Sequence, residues 1–237
     1  MEVYWLEQTK SDVPEENDWL SCGELRFLES LRFAQRRSDW RLGRWTAKRA
    51  LAACLHSSDS FPGLARIELR PAPSGAPEVF FEDRRAAWTA SLSHRSDRAI
   101  CAVAPSAVEL GCDLELIEPR SNGFLADYFT AQEQELVGRQ PVTERSRILA
   151  VLWSGKESTL KALRAGLRLD TREVIVDLAD ASSHVHGWSQ LHVRSSGGRI
   201  FDGWWQVSDA MVRTLVADPS PAPPIPLLNR STVLSTD

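Results

Sequence analysis

Acidic and apolar side chains alternate over residues 108–116. Successive side chains of a β-strand point to opposite faces, so Glu109, Asp113 and Glu115 share one face. Asp113 and Glu115 lie two positions apart, about 7 Å along a strand, where two carboxylates can share a hard cation. Gly111 leaves room for a backbone or a ligand to approach closely. Taken alone, the segment fits the outer, solvated face of an amphipathic strand equally well.

A second group of functional side chains falls at helical spacing in residues 153–161. Trp153, Glu157 and Lys161 recur every four residues and therefore share one face of a helix. Glu157 four residues before Lys161 is also the usual orientation of a surface ion pair. The indole favours a functional face, because tryptophan seldom lies in a solvated stripe of charges. Lysine is rare in this chain, and Lys156 and Lys161 close together suggest chemistry that uses a compact ammonium group, although chance placement would look the same.

A hydroxyl, an imidazole and a guanidinium follow one another at Ser93, His94 and Arg95, at the end of a predicted strand. Such a set can hydrogen-bond a phosphate. A lone histidine at a strand end is, by itself, more often a surface residue.

In this order, the three segments resemble the motifs of the 4′-phosphopantetheinyl transferase family, in its larger, two-lobed (Sfp-like) type. The matching motifs are Ser93-His94, Gly111-Cys112-Asp113-Leu114-Glu115 and Trp153-Ser154-Gly155-Lys156-Glu157-Ser158-Thr159-Leu160-Lys161, within a resemblance over about residues 20–180. The resemblance implies transfer of the 4′-phosphopantetheine group of coenzyme A to a serine of an acyl or peptidyl carrier protein, with release of 3′,5′-ADP. It also implies a Mg²⁺ ion held by Asp113, Glu115 and Glu157, which would neutralise charge on the pyrophosphate.

The same resemblance gives roles to the helix residues. Glu157 is the candidate general base, acting directly or through water. Lys161 would stabilise charge on the pyrophosphate and could protonate the leaving phosphate. Lys156 would contact the pyrophosphate or serve as a structural partner, and both readings stay open. Positioning and electrostatics should supply most of the lowering of the barrier.

The 3′-phosphate of coenzyme A requires a separate basic site. Residues 36–49 resemble the basic N-terminal segment of the family, and we expect Arg44 and Arg49 to bind this phosphate together with Ser93 and His94. One position departs from the family pattern, because the usual Gly-Lys-Pro before the Ser-His strand is here Gly75-Ala76-Pro77. Ala76 cannot donate, so one contact is missing or is supplied by an arginine elsewhere.

The resemblance also indicates where a carrier protein would dock, namely on residues 116–129. Phe124, Tyr128 and Phe129 are candidate apolar anchors, and Arg120 could steer an acidic carrier. Sealing the joint between two lobes is an equally good reading of these aromatic side chains.

The elements that must position these residues indicate an α+β fold of two similar lobes, each a helix packed on a small antiparallel sheet, with the active site in the cleft between them. We expect an N-terminal lobe over residues 1–106, a C-terminal lobe over 107–217, and a proline-rich tail over 218–237, extended or disordered. Predicted helices span about residues 36–55, 132–137 and 145–163, the last ending near Gly166. Predicted strands span about residues 67–69, 89–93, 99–104, 108–116, 173–178, 188–194, 200–207 and 212–217.

Composition limits the classes of function. The 237 residues are 43% hydrophobic and 25% charged, with a net charge of −4. These are ordinary values for a globular protein, and the charge argues against a general affinity for nucleic acid. The N-terminal residues do not resemble a signal peptide, and no run of about 18 apolar residues could cross a bilayer. We therefore expect a cytoplasmic enzyme without a nucleic-acid or membrane partner, and the two-lobed family suggests a monomer.

Two other functions are compatible with the motifs. The main alternative is a catalytically degenerate carrier-binding protein of the same fold, against which the intact set of Asp113, Glu115, Glu157 and Lys161 argues. A magnesium-dependent phosphotransferase acting on another nucleotide is the third. Carrier domains of fatty-acid, polyketide and nonribosomal-peptide synthases would all suit the transferase.

Overall fold

A computed structural model describes residues 1–55, 63–165, 168–178 and 184–227. The helices are α1 (Cys22–Ser30), α2 (Ala34–Leu55), α3 (Asn122–Tyr128), α4 (Ala131–Arg139) and α5 (Val142–Ala162). The strands are β1 (Tyr4–Thr9), β2 (Ile67–Pro71), β3 (Pro77–Phe81), β4 (Arg84–Arg85), β5 (Trp88–Arg95), β6 (Arg98–Pro105), β7 (Glu109–Leu116), β8 (Val174–Leu178), β9 (His184–Val185), β10 (Trp188–Ser195), β11 (Ile200–Ser208), β12 (Met211–Asp218) and β13 (Ile225–Pro226).

Helix α2 packs on the first sheet, whose strand order is β13-β1-β6-β5. Small side chains of the helix, including Ala47 and Ala50, lie in one apolar cluster with Leu6 of β1 and Cys101 and Val103 of β6. Small residues allow the helix to approach the sheet closely, and burial of this face is the main source of stabilisation for the pair. A short sheet of order β2-β3-β4 contributes to the same cluster.

Helix α5 packs on the second sheet, of order β7-β12-β11-β10-β8, in which every neighbouring pair is antiparallel. Strand β9 pairs with β10 at the side. The helix crosses β7 so closely that a Cβ atom added to Gly111 would lie 1.7 Å from the carbonyl oxygen of Ser158. Glycine at this position therefore determines how near α5 comes to the carboxylate-bearing strand.

The two sheets bury a shared apolar cluster. It contains Ile100 and Ala102 of β6 together with Leu110, Cys112 and Leu114 of β7. These β7 residues are the alternate, apolar positions of the segment, as the sequence predicts. A buried ion pair between Arg213 of β12 and Glu7 of β1 also joins the two sheets.

The prediction of an α+β fold with two helix-on-sheet units is confirmed. The sequence missed α1, β1 and β3, and the segment interpreted as a connection before residue 129 contains α3. The predicted helix stop at Gly166 lies outside the described residues. The lobe boundaries at residues 106 and 217 stay predictions. None of the helices in the described ranges is long and apolar enough to cross a membrane.

The proline-rich segment after β12 returns to the first sheet. Strand β13 runs parallel to β1 at the edge of that sheet, and the backbone N–H groups of Ala222, Ile225 and Leu227 donate to the carbonyl oxygens of Met1, Val3 and Trp5. The segment is thus extended through residue 227, and the rest of the predicted tail lies outside the described residues.

Candidate active site

Asp113 of β7 is the centre of the candidate site. The side chain is almost completely buried, and its Oδ1 accepts hydrogen bonds from Ser93 Oγ and from Lys161 Nζ, both at 2.7 Å. Lys161 also donates to the carbonyl oxygen of Cys112 at 3.0 Å. Three predicted site residues, from β5, β7 and α5, therefore meet at one carboxylate.

Hydrogen bonds between buried hydroxyl groups of α5 and β12, here called the polar seam, hold α5 on the second sheet. Thr214 of β12 exchanges hydrogen bonds with Ser154 Oγ at 2.9 Å and with Ser158 Oγ at 2.6 Å. All three side chains are buried, so each hydroxyl depends on these partners. Together with the close approach at Gly111, the seam fixes the helix face that carries Glu157 and Lys161.

The charge of Asp113 raises the pKa values of two further carboxylates, Glu115 and Glu157, in addition to the effect of burial. Burial raises the pKa of Glu115 above its ordinary value, as does the charge of Asp113, while Arg95, Arg120 and a hydrogen bond from Trp153 oppose the shift. Arg95 Nε lies 3.6 Å and Arg120 Nη2 lies 3.3 Å from Glu115 Oε2.

The pKa of Glu157 is raised in the same way. Burial is the main cause, the charge of Asp113 adds to it, and Lys161 opposes it. Burial also disfavours the charge of Lys161, but the carboxylates of Asp113 and Glu157 outweigh this effect and raise the pKa of Lys161. Glu157 thus lies within electrostatic reach of Asp113, and Lys161 interacts with both carboxylates.

The donor set fits a hard divalent cation in one specific respect. Oδ2 of Asp113 is buried without a hydrogen-bond partner, a costly condition that a bound cation would relieve. Within the described ranges, however, no three acidic, histidine or cysteine side chains converge closely enough to form a ready metal site. In this structure Lys161 bonds to Asp113, while Arg95 and Arg120 pair with Glu115.

A cavity of about 380 Å³ opens beside Lys161, between the two lobes. Its wall combines the loop between β2 and β3, the middle of β5, and the end of α5. Three cationic side chains line it, and its lining residues include no acidic side chain: Arg44, Pro71, Ser74, Gly75, Ala76, Pro77, Thr89, Ala90, Ser91, Leu92, Leu110, Leu160, Lys161 and Arg164. A cavity with this charge suits an anionic ligand.

Arg44 is held in the cavity wall by a buried acid. Its Nε lies 3.7 Å from Glu24 Oε1, and Glu24 is also paired with the fully buried Lys48. Burial lowers the pKa of Arg44, and the charge of Glu24 opposes that shift. Lys48 donates in addition to the carbonyl oxygen of Trp19 at 2.9 Å. Sequence periodicity does not reveal this network, because Glu24 lies on α1 and Arg44 on α2.

Arg49 and His94, both predicted to bind the cofactor, are not among the residues that line this cavity. Arg49 packs with its guanidinium over the Trp45 ring, 5.5 Å from the ring centroid. His94 is exposed and interacts electrostatically with Asp39 of α2. Their roles in binding stay predictions.

The pyrophosphate contact considered for Lys156 is wrong, because this side chain points into the core. It is fully buried, with Nζ 2.9 Å from Glu133 Oε2 and a hydrogen bond of 2.9 Å to the Thr171 carbonyl oxygen. Burial lowers its pKa, and Glu133 opposes the shift. Lys156 is therefore a structural partner that ties α5 to α4. The sequence contained a signal for this, since Leu152 and Leu160, four residues before and after it, are buried apolar residues.

The predicted docking segment forms an aromatic cluster. Phe124 and Tyr128 of α3 lie 5.0 Å and 5.3 Å from the Trp153 ring, measured between centroids. Phe129 is completely buried, which supports a sealing role for that residue, whereas Tyr128 is exposed. The guanidinium of Arg120 lies 5.2 Å from the Phe124 ring centroid.

Comparison with known proteins agrees with the resemblance in the motifs. A model of the 4′-phosphopantetheinyl transferase superfamily matches residues 109–204, which include β7 and α5. The resemblance to this superfamily is therefore confirmed, while the two-lobed, Sfp-like subtype stays a prediction.

Individual relatives are distant. The chain is 26% identical over 164 residues to the 4′-phosphopantetheinyl transferase HetI of Nostoc sp., a match covering 68% of this chain and 67% of that protein. It is 25% identical over 114 residues to a protein of Synechocystis sp. described provisionally as a 4′-phosphopantetheinyl transferase, covering 47% of this chain and about half, 46%, of the relative's length. A holo-(acyl-carrier-protein) synthase of Bacillus anthracis, solved with CoA (3′,5′-ADP), aligns with a TM-score of 0.37 and 17% identity over 43% of this chain and 92% of that one.

Proposed function

We propose that this chain transfers the 4′-phosphopantetheine group of coenzyme A to a serine hydroxyl of an acyl or peptidyl carrier protein. The serine oxygen forms a bond to the β-phosphorus of the pyrophosphate, and the bond from that phosphorus to the bridging oxygen breaks. 3′,5′-ADP leaves with the bonding electron pair, and the hydroxyl proton passes to a base of the enzyme.

One observation carries this proposal: Lys161, which is paired with Asp113, lines a cavity together with the cationic side chains of Arg44 and Arg164. Coenzyme A carries a pyrophosphate and a 3′-phosphate, so it needs positive charge along its length and a place where charge on the transferred group can be stabilised. Arg44 offers such charge from the first lobe and Lys161 from the second. Because one chain lines the whole cavity, a monomer would suffice for the reaction.

Glu157 suits the role of general base. A carboxylate with a raised pKa is a stronger base than an ordinary glutamate carboxylate. The pKa of Glu157 is raised by burial and by Asp113, and its position four residues before Lys161 puts base and cation on the same helix face.

Lys161 remains charged at neutral pH, because its pKa is raised by the carboxylates around it. An ammonium group that is already in place can stabilise charge developing on the pyrophosphate and donate a proton to the leaving phosphate. Ser93 fixes Asp113 from the opposite lobe through its hydrogen bond. Arg49 and His94 keep their predicted contacts to the 3′-phosphate within this proposal.

Asp113, Glu115 and Glu157 would hold a magnesium ion in this proposal. The unpartnered Oδ2 of Asp113 and the raised pKa values of both glutamates support a requirement for added positive charge. When bound, the ion would neutralise negative charge on the pyrophosphate.

Mass spectrometry tests the function directly. The chain is incubated with coenzyme A, magnesium and an apo carrier protein, and the carrier is then weighed. A mass gain of one phosphopantetheine group that disappears with Glu157→Gln supports transfer. Binding of several carriers without any gain would favour the degenerate carrier-binding protein instead, and phosphorylation from another nucleotide would favour the third alternative.

A further inference from the structure

Arg164 lines the cavity from the second lobe, just beyond the end of α5. Its backbone N–H donates to the carbonyl oxygen of Lys161 at 3.0 Å, which closes the turn after the helix. Arg164 is exposed, and no carboxylate of the described residues forms an ion pair with its guanidinium. The guanidinium is therefore available to a ligand.

The backbone of Arg164 has an unusual conformation for an arginine. Its φ angle is +53°, in the left-handed region that glycine enters readily and other residues enter at a cost. The position after a helix commonly carries glycine for this reason. An arginine that persists in such a conformation points to a use for its side chain.

The loop between β2 and β3 forms another wall of the cavity, and its lining residues include no cation. The turn there is tight, with the Gly75 N–H donating to the Ala72 carbonyl oxygen at 2.8 Å and Gly75 at a φ of +86°. Ala76 follows in the cavity wall and offers only a methyl group. Arg44 and Lys161 are the other cations of the wall, so Arg164 supplies the third positive charge.

We infer that Arg164 binds a phosphate group of coenzyme A and so replaces the cationic contact that Ala76 does not make. This inference rests on the proposed function, since it presupposes that the cavity binds coenzyme A. Arg164 would thus be an additional binding residue from the second lobe, in a cavity where the first lobe has an alanine and no cation at position 76.

The test measures dissociation constants of coenzyme A by calorimetry for the full chain and three variants. Arg164→Gly removes the side chain and also relieves the left-handed backbone, so the variant should fold at least as well as the wild type. Arg194→Ala is the matched control, because it removes one positive charge from an exposed arginine of β10 that pairs with Asp177. The double variant Ala76→Lys with Arg164→Gly returns a cation from the opposite wall.

Arg164→Gly should weaken coenzyme A about five- to tenfold, the range expected for one charged hydrogen bond in a partly solvated cavity. Arg194→Ala should change the affinity less than about twofold, and Ala76→Lys should restore most of the loss. Repeating the titrations with dephospho-coenzyme A identifies the group: a loss confined to coenzyme A indicates the 3′-phosphate, and an equal loss with both ligands indicates the pyrophosphate. Either pattern supports the inference.

Two results count against it in different ways. A wild-type chain that binds coenzyme A while Arg164→Gly binds it equally well overturns this inference and leaves the proposed function intact. A wild-type chain that binds no coenzyme A removes both.

Discussion

Replacing Lys161 by methionine tests the electrostatics at the centre of the candidate site. The ammonium group lies 2.7 Å from Asp113 Oδ1 and is the cation that opposes the raised pKa of Glu157. Methionine keeps much of the length and apolar bulk of the side chain, so the change removes the charge without creating a large void. Asp113 then remains buried among acidic neighbours.

The expected loss follows from the burial of the pair. Removing one partner of a fully buried ion pair typically costs about 3–5 kcal/mol. The side chain of Lys161 is 29% exposed and that of Asp113 only 5%, so water screens part of the charge, and Ser93 still donates to the same oxygen. We therefore expect a loss of about 2 kcal/mol in the free energy of unfolding, or about 4–8 °C in Tm for a chain of this size.

Urea denaturation at pH 7 measures this loss, and a double-mutant cycle with Asp113→Asn isolates the pair. Lys10→Met is a matched control, because Lys10 forms a lysine–aspartate pair with Asp39 at 2.9 Å in which the aspartate is 20% exposed, against 5% for Asp113. Pairs that water screens contribute at most about 1 kcal/mol. A loss from Lys161→Met no larger than that of the control, or losses from Lys161→Met and Asp113→Asn that simply add, would show that the ion pair does not stabilise the fold.

Three further predictions concern the neighbouring charges. Glu157→Gln should abolish transfer to the carrier while the free energy of unfolding at pH 7 stays equal or rises, because a repelled carboxylate is lost; near-normal turnover would contradict the role of Glu157 as base. The pKa values of Glu115 and Glu157 are raised, so the folded state holds protons at pH values where the unfolded state has released them. The stabilisation from these two protonated glutamates is complete below the ordinary glutamate pKa. It is lost as the pH rises through the raised pKa values. Magnesium should accordingly raise Tm at pH 7 more than at pH 5, and this difference should vanish in Asp113→Ala; equal shifts at both pH values would argue against these carboxylates as its ligands. Lys156→Met should lower the free energy of unfolding by about 3 kcal/mol, because it leaves the buried Glu133 without its cationic partner. The dissociation constant of coenzyme A should stay unchanged; a large loss of affinity in a folded variant would restore a role in binding.

The sequence predicted best what depends on local periodicity. The alternation over residues 108–116 identified the buried face of β7, and the four-residue spacing of Trp153, Glu157 and Lys161 identified the face of α5 that meets Asp113. Gly111 was recognised as a point of close approach, but only the structure identifies the α5 backbone at Ser158 as the neighbour.

The remaining site features depend on contacts distant in sequence, which periodicity does not encode. Arg95 and Arg120 reach Glu115 only because β5 lies beside β7 and the chain turns back after β7. Glu24 supports Arg44 from another helix. Arg164 follows the last turn of α5, so no helical pattern indicated the direction of its side chain. The sequence left two roles open for Lys156, because its place in the motif favoured a ligand contact while the apolar residues on either side of it along the helix favoured burial.

The pairing of β13 with β1 covers a sheet edge to which another chain could otherwise add. An unpaired edge strand offers a row of free N–H and C=O groups that can template the addition of another chain. Here the returning segment covers the outer edge of β1, and its own prolines at positions 219, 221, 223, 224 and 226 have no N–H to offer in turn. Trimming the protein after Asp218 would expose the edge of β1, and we expect concentration-dependent aggregation even with Asp113, Glu157 and Lys161 in place.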